Sequence, residues 1–415
     1  MKRLGLAMIV GLLCCAVAMG APFDRTPYTG APGGTSVTIG WSGDPQYAAR
    51  IEVLPDGYEG WELATTLEPR DPESTDPIHV ELTGLLPDTG YQARVVLEAN
   101  DEIVVSPIVR FHTEPPSGSP VSFVVLGDTQ WQWEGENRLA AVGAAIAGET
   151  DLDFILHVGD IVESPSSIYW DHWFDSFAGM LRIAPFIPVL GNHEKNHSSY
   201  YKTFALPPGA GTRDKRWWAL HWGDVVAVGL DTNVRRADQI REQQAWAAEH
   251  LSGSETHKFV LFHHPVWSSD AYHGDGYAYD LIYHPIFAEH GVDIVFNGHA
   301  HNYERIVHDG VTYLVLGGGG AVPRPLAETR TDGSVIAIEN YNFYARIDTS
   351  PGRIQVSVPT VAHAGEESFS LTNGRPLDTF SLPPQTLGLE ETTTWIGIAA
   401  IVGVAIAALL RTLIP

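Results

Sequence analysis

Five short polar stretches follow five apolar runs in this 415-residue chain. Gly127-Asp128-Thr129-Gln130 comes after the run 121–126, and Gly159-Asp160 after 154–158. Gly191-Asn192-His193-Glu194 follows 186–190, His263-His264-Pro265 follows 257–262, and Asn297-Gly298-His299-Ala300-His301 follows 292–296. In an open α/β sheet, side chains leaving the carboxyl ends of several strands converge on one crevice. Two Asp, one Asn and three or four His gathered there suit two divalent metals with a carboxylate bridging them. A single Gly-Asp or Gly-His pair is usually a turn, but turns do not explain five such stretches in order at the ends of apolar runs.

The elements that must position these residues can be read around them. The five runs, with two more at 225–230 and 312–316, alternate with helical stretches such as 139–147. Buried strands alternating with helices predict an α/β-layered domain over 121–365. Trp170, Trp173 and Phe174 at helical spacing are expected in its core, and Trp217, Trp218 and Trp222 in the core or at its rim. Gly317 to Gly320 looks like a phosphate-cradling loop but lacks the following Lys and Ser or Thr, so close backbone approach is the expected use. From 27 to 114 the texture differs. Short alternating strands such as Ser36-Val37-Thr38-Ile39-Gly40-Trp41 between Pro, Gly and Asp turns predict a β-sandwich of about 90 residues with Trp41 in its core. Pro115-Pro116-Ser117-Gly118-Ser119-Pro120 links the two. No internal repeat is present.

Fifty acidic residues against 25 basic give a net charge of -25, which argues against bulk nucleic acid binding. Residues 1–20 carry Lys2 and Arg3, then an apolar run, then Ala18-Met19-Gly20-Ala21, the order of an export signal. Both cysteines, Cys14 and Cys15, lie within that segment. A lipoprotein reading is disfavoured because Leu13 stands before Cys14. At the other end, a polar linker over 383–394 precedes an apolar segment at 395–413, expected to be a C-terminal transmembrane or sorting helix. Together these predict an extracytoplasmic protein, secreted or held at the cell surface. The sequence carries no signal for oligomeric state.

Over residues 30–365 the ordered set of motifs resembles the calcineurin-like metallophosphoesterases, and within them the purple acid phosphatases with an N-terminal fibronectin-like domain. Gly298-His299-Ala300-His301-Asn302-Tyr303-Glu304-Arg305, followed by the segment 311–321, is especially similar to the purple phosphatase pattern. The stretch 82–91, ending in Tyr91, resembles the fibronectin type III pattern, in which such a Tyr makes a corner hydrogen bond. The resemblance implies that Asp128 and His301 hold a first metal, that Asn192, His263 and His299 hold a second, and that Asp160 bridges them. His264 falls at a variable position and is expected in the wall. Asn192 and His193 would contact the substrate phosphate. His273, ten positions after His263, would protonate the leaving oxygen, with a solvated loop histidine as the alternative.

The chain departs from the resemblance at two positions. Glu163 stands where purple phosphatases place the Tyr whose phenolate colours ferric iron, and Gln130 stands where many metallophosphoesterases place a His ligand. The expectation is therefore a first metal completed by Gln130 or a water, Glu163 at most in an outer shell, and no tyrosinate colour. The metals implied are two divalent or mixed-valence ions, manganese, zinc or iron. The implied function is an exported phosphatase hydrolysing small phosphate monoesters by attack of a metal-activated hydroxide. Alternatives are a phosphodiesterase or nucleotide pyrophosphatase on the same core, or a catalytically silent surface binding protein.

Overall fold

The computed structural model describes residues 22–71, 73–130, 138–211, 215–276, 278–364 and 369–383. The first residues form two facing sheets. One has three strands in the order Phe23–Gly30, Ser36–Gly43, Ile78–Thr83. The other runs Glu62–Leu67, Ala48–Pro55, Gly90–Ala99, Glu102–Val105, with Val109–His112 also paired to Gly90–Ala99. Alternate residues of both sheets, Val37, Ile39, Trp41, Ile51, Val53 and Val95 among them, fill one core between them. The Tyr91 hydroxyl accepts the Leu86 N–H at 2.8 Å, fixing the entry of strand Gly90–Ala99.

The larger body is built on two eight-stranded sheets. In the first, Val121–Leu126, Phe154–His157 and Phe186–Pro188 run parallel, and Ala345–Ser350 and Arg353–Ala364 extend the sheet antiparallel. Strands Phe369–Leu371 and Pro376–Leu382 pair with Arg353–Ala364, so this sheet runs on past residue 365. In the second, Val225–Gly229, His257–Leu261, Ile294–Asn297 and Val311–Leu316 are parallel neighbours.

Period-two geometry explains why these strands read as unbroken apolar runs. Phe259, Leu261, Ile294, Phe296 and Leu314 face the core between the sheets, while Val260, Val295, Tyr313 and Val315 face the opposite side. There they meet Ala247 and Leu251 of helix Ala237–Leu251 and Phe287 of helix His284–Glu289. Helices Arg138–Ala147 and Ser167–Phe177 cover the first sheet, burying Trp170, Trp173 and Phe174. Trp217, Trp218 and Trp222 are all fully buried, which settles them in the core and not at the rim.

The sandwich docks on this body through strands Phe23–Gly30 and Ile78–Thr83. Tyr28 packs 5.2 Å from Phe174, and its hydroxyl donates to the Thr203 carbonyl. His79 lies 3.1 Å from both the Tyr28 hydroxyl and that carbonyl, and Arg25 pairs with Asp171 at 3.0 Å.

The expected fold class needs one correction. Among the described residues no helix is long and apolar enough to cross a membrane. The longest, Ala237–Leu251, has 15 residues, reaches about 22 Å and carries a charged face, whereas a span needs about 20 apolar residues. The architecture is a mixed α/β fold built on β-sheets, and the expected C-terminal transmembrane helix, with the membrane contact drawn from it, has no support among the described residues. Its segment, 395–413, lies outside the described residues, as do the export segment 1–20 and most of the linker 383–394.

Candidate metal centre

All five polar stretches singled out by sequence emerge at one edge of the two sheets, where the parallel strands end. Asp128 follows strand Val121–Leu126, Asp160 follows Phe154–His157, Asn192 and His193 follow Phe186–Pro188, His263 follows His257–Leu261, and His299 follows Ile294–Asn297. Three of these turn the chain sharply: Asp128, Asp160 and His299 have φ of 57°, 53° and 68°. Left-handed backbone is uncommon for residues with a Cβ and concentrates at functional sites. Atoms crowd closely around these turns. A Cβ on Gly298 would strike the Asp128 carboxylate, and one on Gly319 would strike the Gly127 carbonyl. The glycine run 317–320 thus supports the site from behind, with Gly319 N–H donating to Gly127 O at 2.8 Å.

The side chains fall into two touching groups. His301 Nε2 lies 3.3 Å from Asp128 Oδ1 and 3.2 Å from the Gln130 amide nitrogen. His263 Nε2 lies 3.1 Å from Asp160 Oδ2 and 2.9 Å from Asn192 Oδ1. Potential ligand atoms of Asp128, Asp160 and His263 lie within 4.8 Å of one another, and so do those of His263, His264 and His299.

Ring orientation matches what a metal site needs. His263 Nδ1 faces the Val158 carbonyl at 3.0 Å and His301 Nδ1 faces the Val322 carbonyl at 2.7 Å. A carbonyl only accepts, so both rings carry the proton on Nδ1, and Nε2 points into the crevice, the usual outer support of a ligating imidazole. His264 Nδ1 lies 2.8 Å from the Thr232 hydroxyl. Gln130 Oε1 is buried without a hydrogen-bond partner among the described residues, an orphaned oxygen that a cation would satisfy. Burial and the adjoining His263 and His264 rings push His299 far down, so it stays neutral. Burial lowers His263 too, but the Asp160 carboxylate overrides this and holds it up at about 9. A metal held there by His263 would take the place of that proton. The donor set of carboxylate, imidazole and amide therefore fits borderline divalent metals.

Residues at the mouth follow. His193 is a quarter exposed, with Nδ1 2.8 Å from the Glu163 carbonyl and Nε2 3.8 Å from Asp160 Oδ2. The Glu163 carboxylate lies 3.6 Å from His193 Nδ1 and joins neither ligand group. His273, placed only by spacing in the sequence, does reach the site, its ring 4.1 Å from that of His299. Asp270 Oδ1 accepts the His273 N–H at 2.9 Å and holds that turn.

Several supporting residues were not assigned a role from sequence. Glu194 accepts the backbone N–H groups of Asp160, Ile161, Val162 and Gly191. Thr232 orients His264, and the Asn233 amide donates to the Gly191 carbonyl at 3.2 Å, bracing the Asn192 loop. Both follow the strand Val225–Gly229, and the signal that marked the other five stretches, polar residues after an apolar run, would have found them. Arg324 donates to the His299 carbonyl at 3.1 Å and to His273 Nε2. No sequence signal pointed to it.

Residues 121–303 match the family model described as calcineurin-like phosphoesterase. Over this segment the chain is similar to the calcineurin-like phosphoesterases. Among curated proteins, the chain is similar to purple acid phosphatase 15 of Arabidopsis thaliana, 27% identical over 292 residues, covering 58% of this chain and 53% of that protein. It is 24% identical over 320 residues to an uncharacterized protein of Mycobacterium tuberculosis, covering 65% of this chain and 59% of that one. The chain thus spans little more than half the length of these relatives. Among solved structures, the purple acid phosphatase of yellow lupin (Lupinus luteus) seeds superposes with a TM-score of 0.69 at 18% identity, covering 86% of this chain and 74% of that one. PhoD superposes with a TM-score of 0.66 at 15% identity, covering 88% and 91%. The structural likeness shows that the chain shares its fold with both.

Proposed function

We propose that this protein hydrolyses phosphate monoesters at a two-metal site of the purple acid phosphatase type. The observation that carries the reading is the position of Asp160, whose carboxylate touches His263 of one ligand group and clusters with Asp128 of the other. Asp128, Gln130 and His301 would hold one metal, and Asn192, His263 and His299 the other, with Asp160 between. Bound there, two metals would supply an acidified water as nucleophile and neutralise charge on the phosphoryl oxygens.

The chain's own groups do the rest. Asn192 and His193 bind the phosphate at the open side. The His193 ring is fixed by its Nδ1–H bond to the Glu163 carbonyl, which leaves Nε2 turned to the crevice. His273 stands over His299 as the candidate proton donor to the leaving oxygen. Arg324 can only donate, so His273 Nε2 accepts from it and the ring proton sits on Nδ1 in this state. Delivery of a proton from Nε2 therefore requires that contact to open and the ring to take up a proton. Export is inferred from the composition of residues 1–20 alone.

Hydrolysis of a chromogenic phosphate monoester by purified protein, after chelation and readdition of manganese, zinc or iron, tests the reading. Turnover lost on chelation and restored by metal supports it, and Asp160→Asn should then abolish it. Absence of turnover with every metal would overturn it.

A further inference from the structure

Arg324 places a cation at the rim of the candidate metal centre. Acidic residues outnumber basic ones 50 to 25, and some arginines take carboxylate partners, as Arg216 does with Asp231 and Arg305 with Asp378. Among the described residues Arg324 pairs with no carboxylate. Its Nη1 donates to the His299 carbonyl and to His273, and its backbone N–H donates to the His301 carbonyl at 3.0 Å. The residue is thus pinned to the backbone of the two histidines expected to hold different metals. A guanidinium has five N–H donors in a planar fork, and the bonds made here use Nη1 alone, leaving Nε and Nη2 for an anion.

We infer that Arg324 is a phosphate anchor that selects monoester dianions over diesters. The inference rests on the proposed phosphatase reading. A monoester presents three non-bridging oxygens and a diester two. With two oxygens at the metal side, the third oxygen of the monoester carries charge that needs its own donor, and a guanidinium fork at the rim supplies one. A diester has an ester substituent there and gains nothing from the cation.

The experiment compares wild type, Arg324→Gln and Arg324→Lys, all metal-loaded, with metal content checked in each. Turnover of a chromogenic monoester and of its bis-ester is measured alongside calorimetric binding of inorganic phosphate. Arg324→Gln should lower monoester kcat/KM about 100-fold, the usual cost of losing one donor to a charged oxygen, while bis-ester turnover stays within about threefold. Phosphate binding should weaken in parallel, and Arg324→Lys should recover part of both. Equal losses on the two esters, or unchanged phosphate binding in Arg324→Gln, would overturn the inference and leave Arg324 as a brace for His299 and His273. If wild type turns over neither ester, the phosphatase reading fails separately. Phosphate binding lost only in Arg324→Gln would still support an anion anchor, and absent or equal binding in both would end it.

Discussion

Glu194 sits directly behind Asp160 and accepts its backbone N–H at 3.1 Å, with three further backbone N–H groups on the same carboxylate. Burial, with the Asp160 charge adding to it, pushes Glu194 up to about 7 against the pull of those donors. This buried acid ties the Asp160 turn to the Asn192 loop. Replacement by Gln keeps one acceptor and sets an NH2 against N–H donors. Glu194→Gln should cost about 2–4 kcal/mol, the price of stranding buried donors, read as a lowered melting temperature. Metal affinity should fall about tenfold or more, as for other supports of ligands.

Gln130 should show effects of opposite sign on stability and metal binding. Among the described residues its buried Oε1 lacks a hydrogen-bond partner, a defect costing about 1–3 kcal/mol. Gln130→Leu should leave the metal-free protein as stable as wild type or about 1 kcal/mol more stable. The same variant should bind the first metal more weakly. Thermal melts of chelated protein and a metal titration read the two separately.

Glu163 should leave the iron-loaded protein without a ferric-phenolate band. Its carbonyl accepts from His193 and its carboxylate belongs to neither ligand group. Reconstitution with ferric iron followed by a visible spectrum checks this, and an intense charge-transfer band would show that a phenolate reaches the metal. Restoring the aromatic as Glu163→Tyr is the matching gain-of-colour variant.

The interface between the sandwich and the larger body should weaken in mild acid. Burial lowers His79 below 6.5, outweighing its hydrogen bond to the Thr203 carbonyl. A histidine with a depressed folded pKa is neutral when docked and takes up a proton when released. Its contribution is complete above pH 6.5 and is lost as pH falls from there toward the folded value. Wild type should lose melting temperature between pH 7.5 and 5.5, and His79→Gln should flatten that part of the dependence.

The sequence by itself determined the strands and the identities of the candidate ligands. Strands such as Val225–Gly229 and His257–Leu261 are buried on both faces, so their apolar runs are continuous and legible. The polar residues that follow them inherit a shared location from the parallel arrangement. The reading of 395–413 as a spanning helix drew on hydrophobicity alone and found no support in the structure.

What surrounds the ligands needed the tertiary structure. Glu194, Asn233, Thr232 and Arg324 act through hydrogen bonds to segments distant in sequence, which no local pattern encodes. Trp217 and Trp222 could be placed in the core only once both sheets were assembled. His273 joined the site because Asp270 turns its loop back over His299. Periodicity and residue type record which face of a strand is buried. Which loop meets which is decided by how the two sheets pack, and that information is spread over the whole chain.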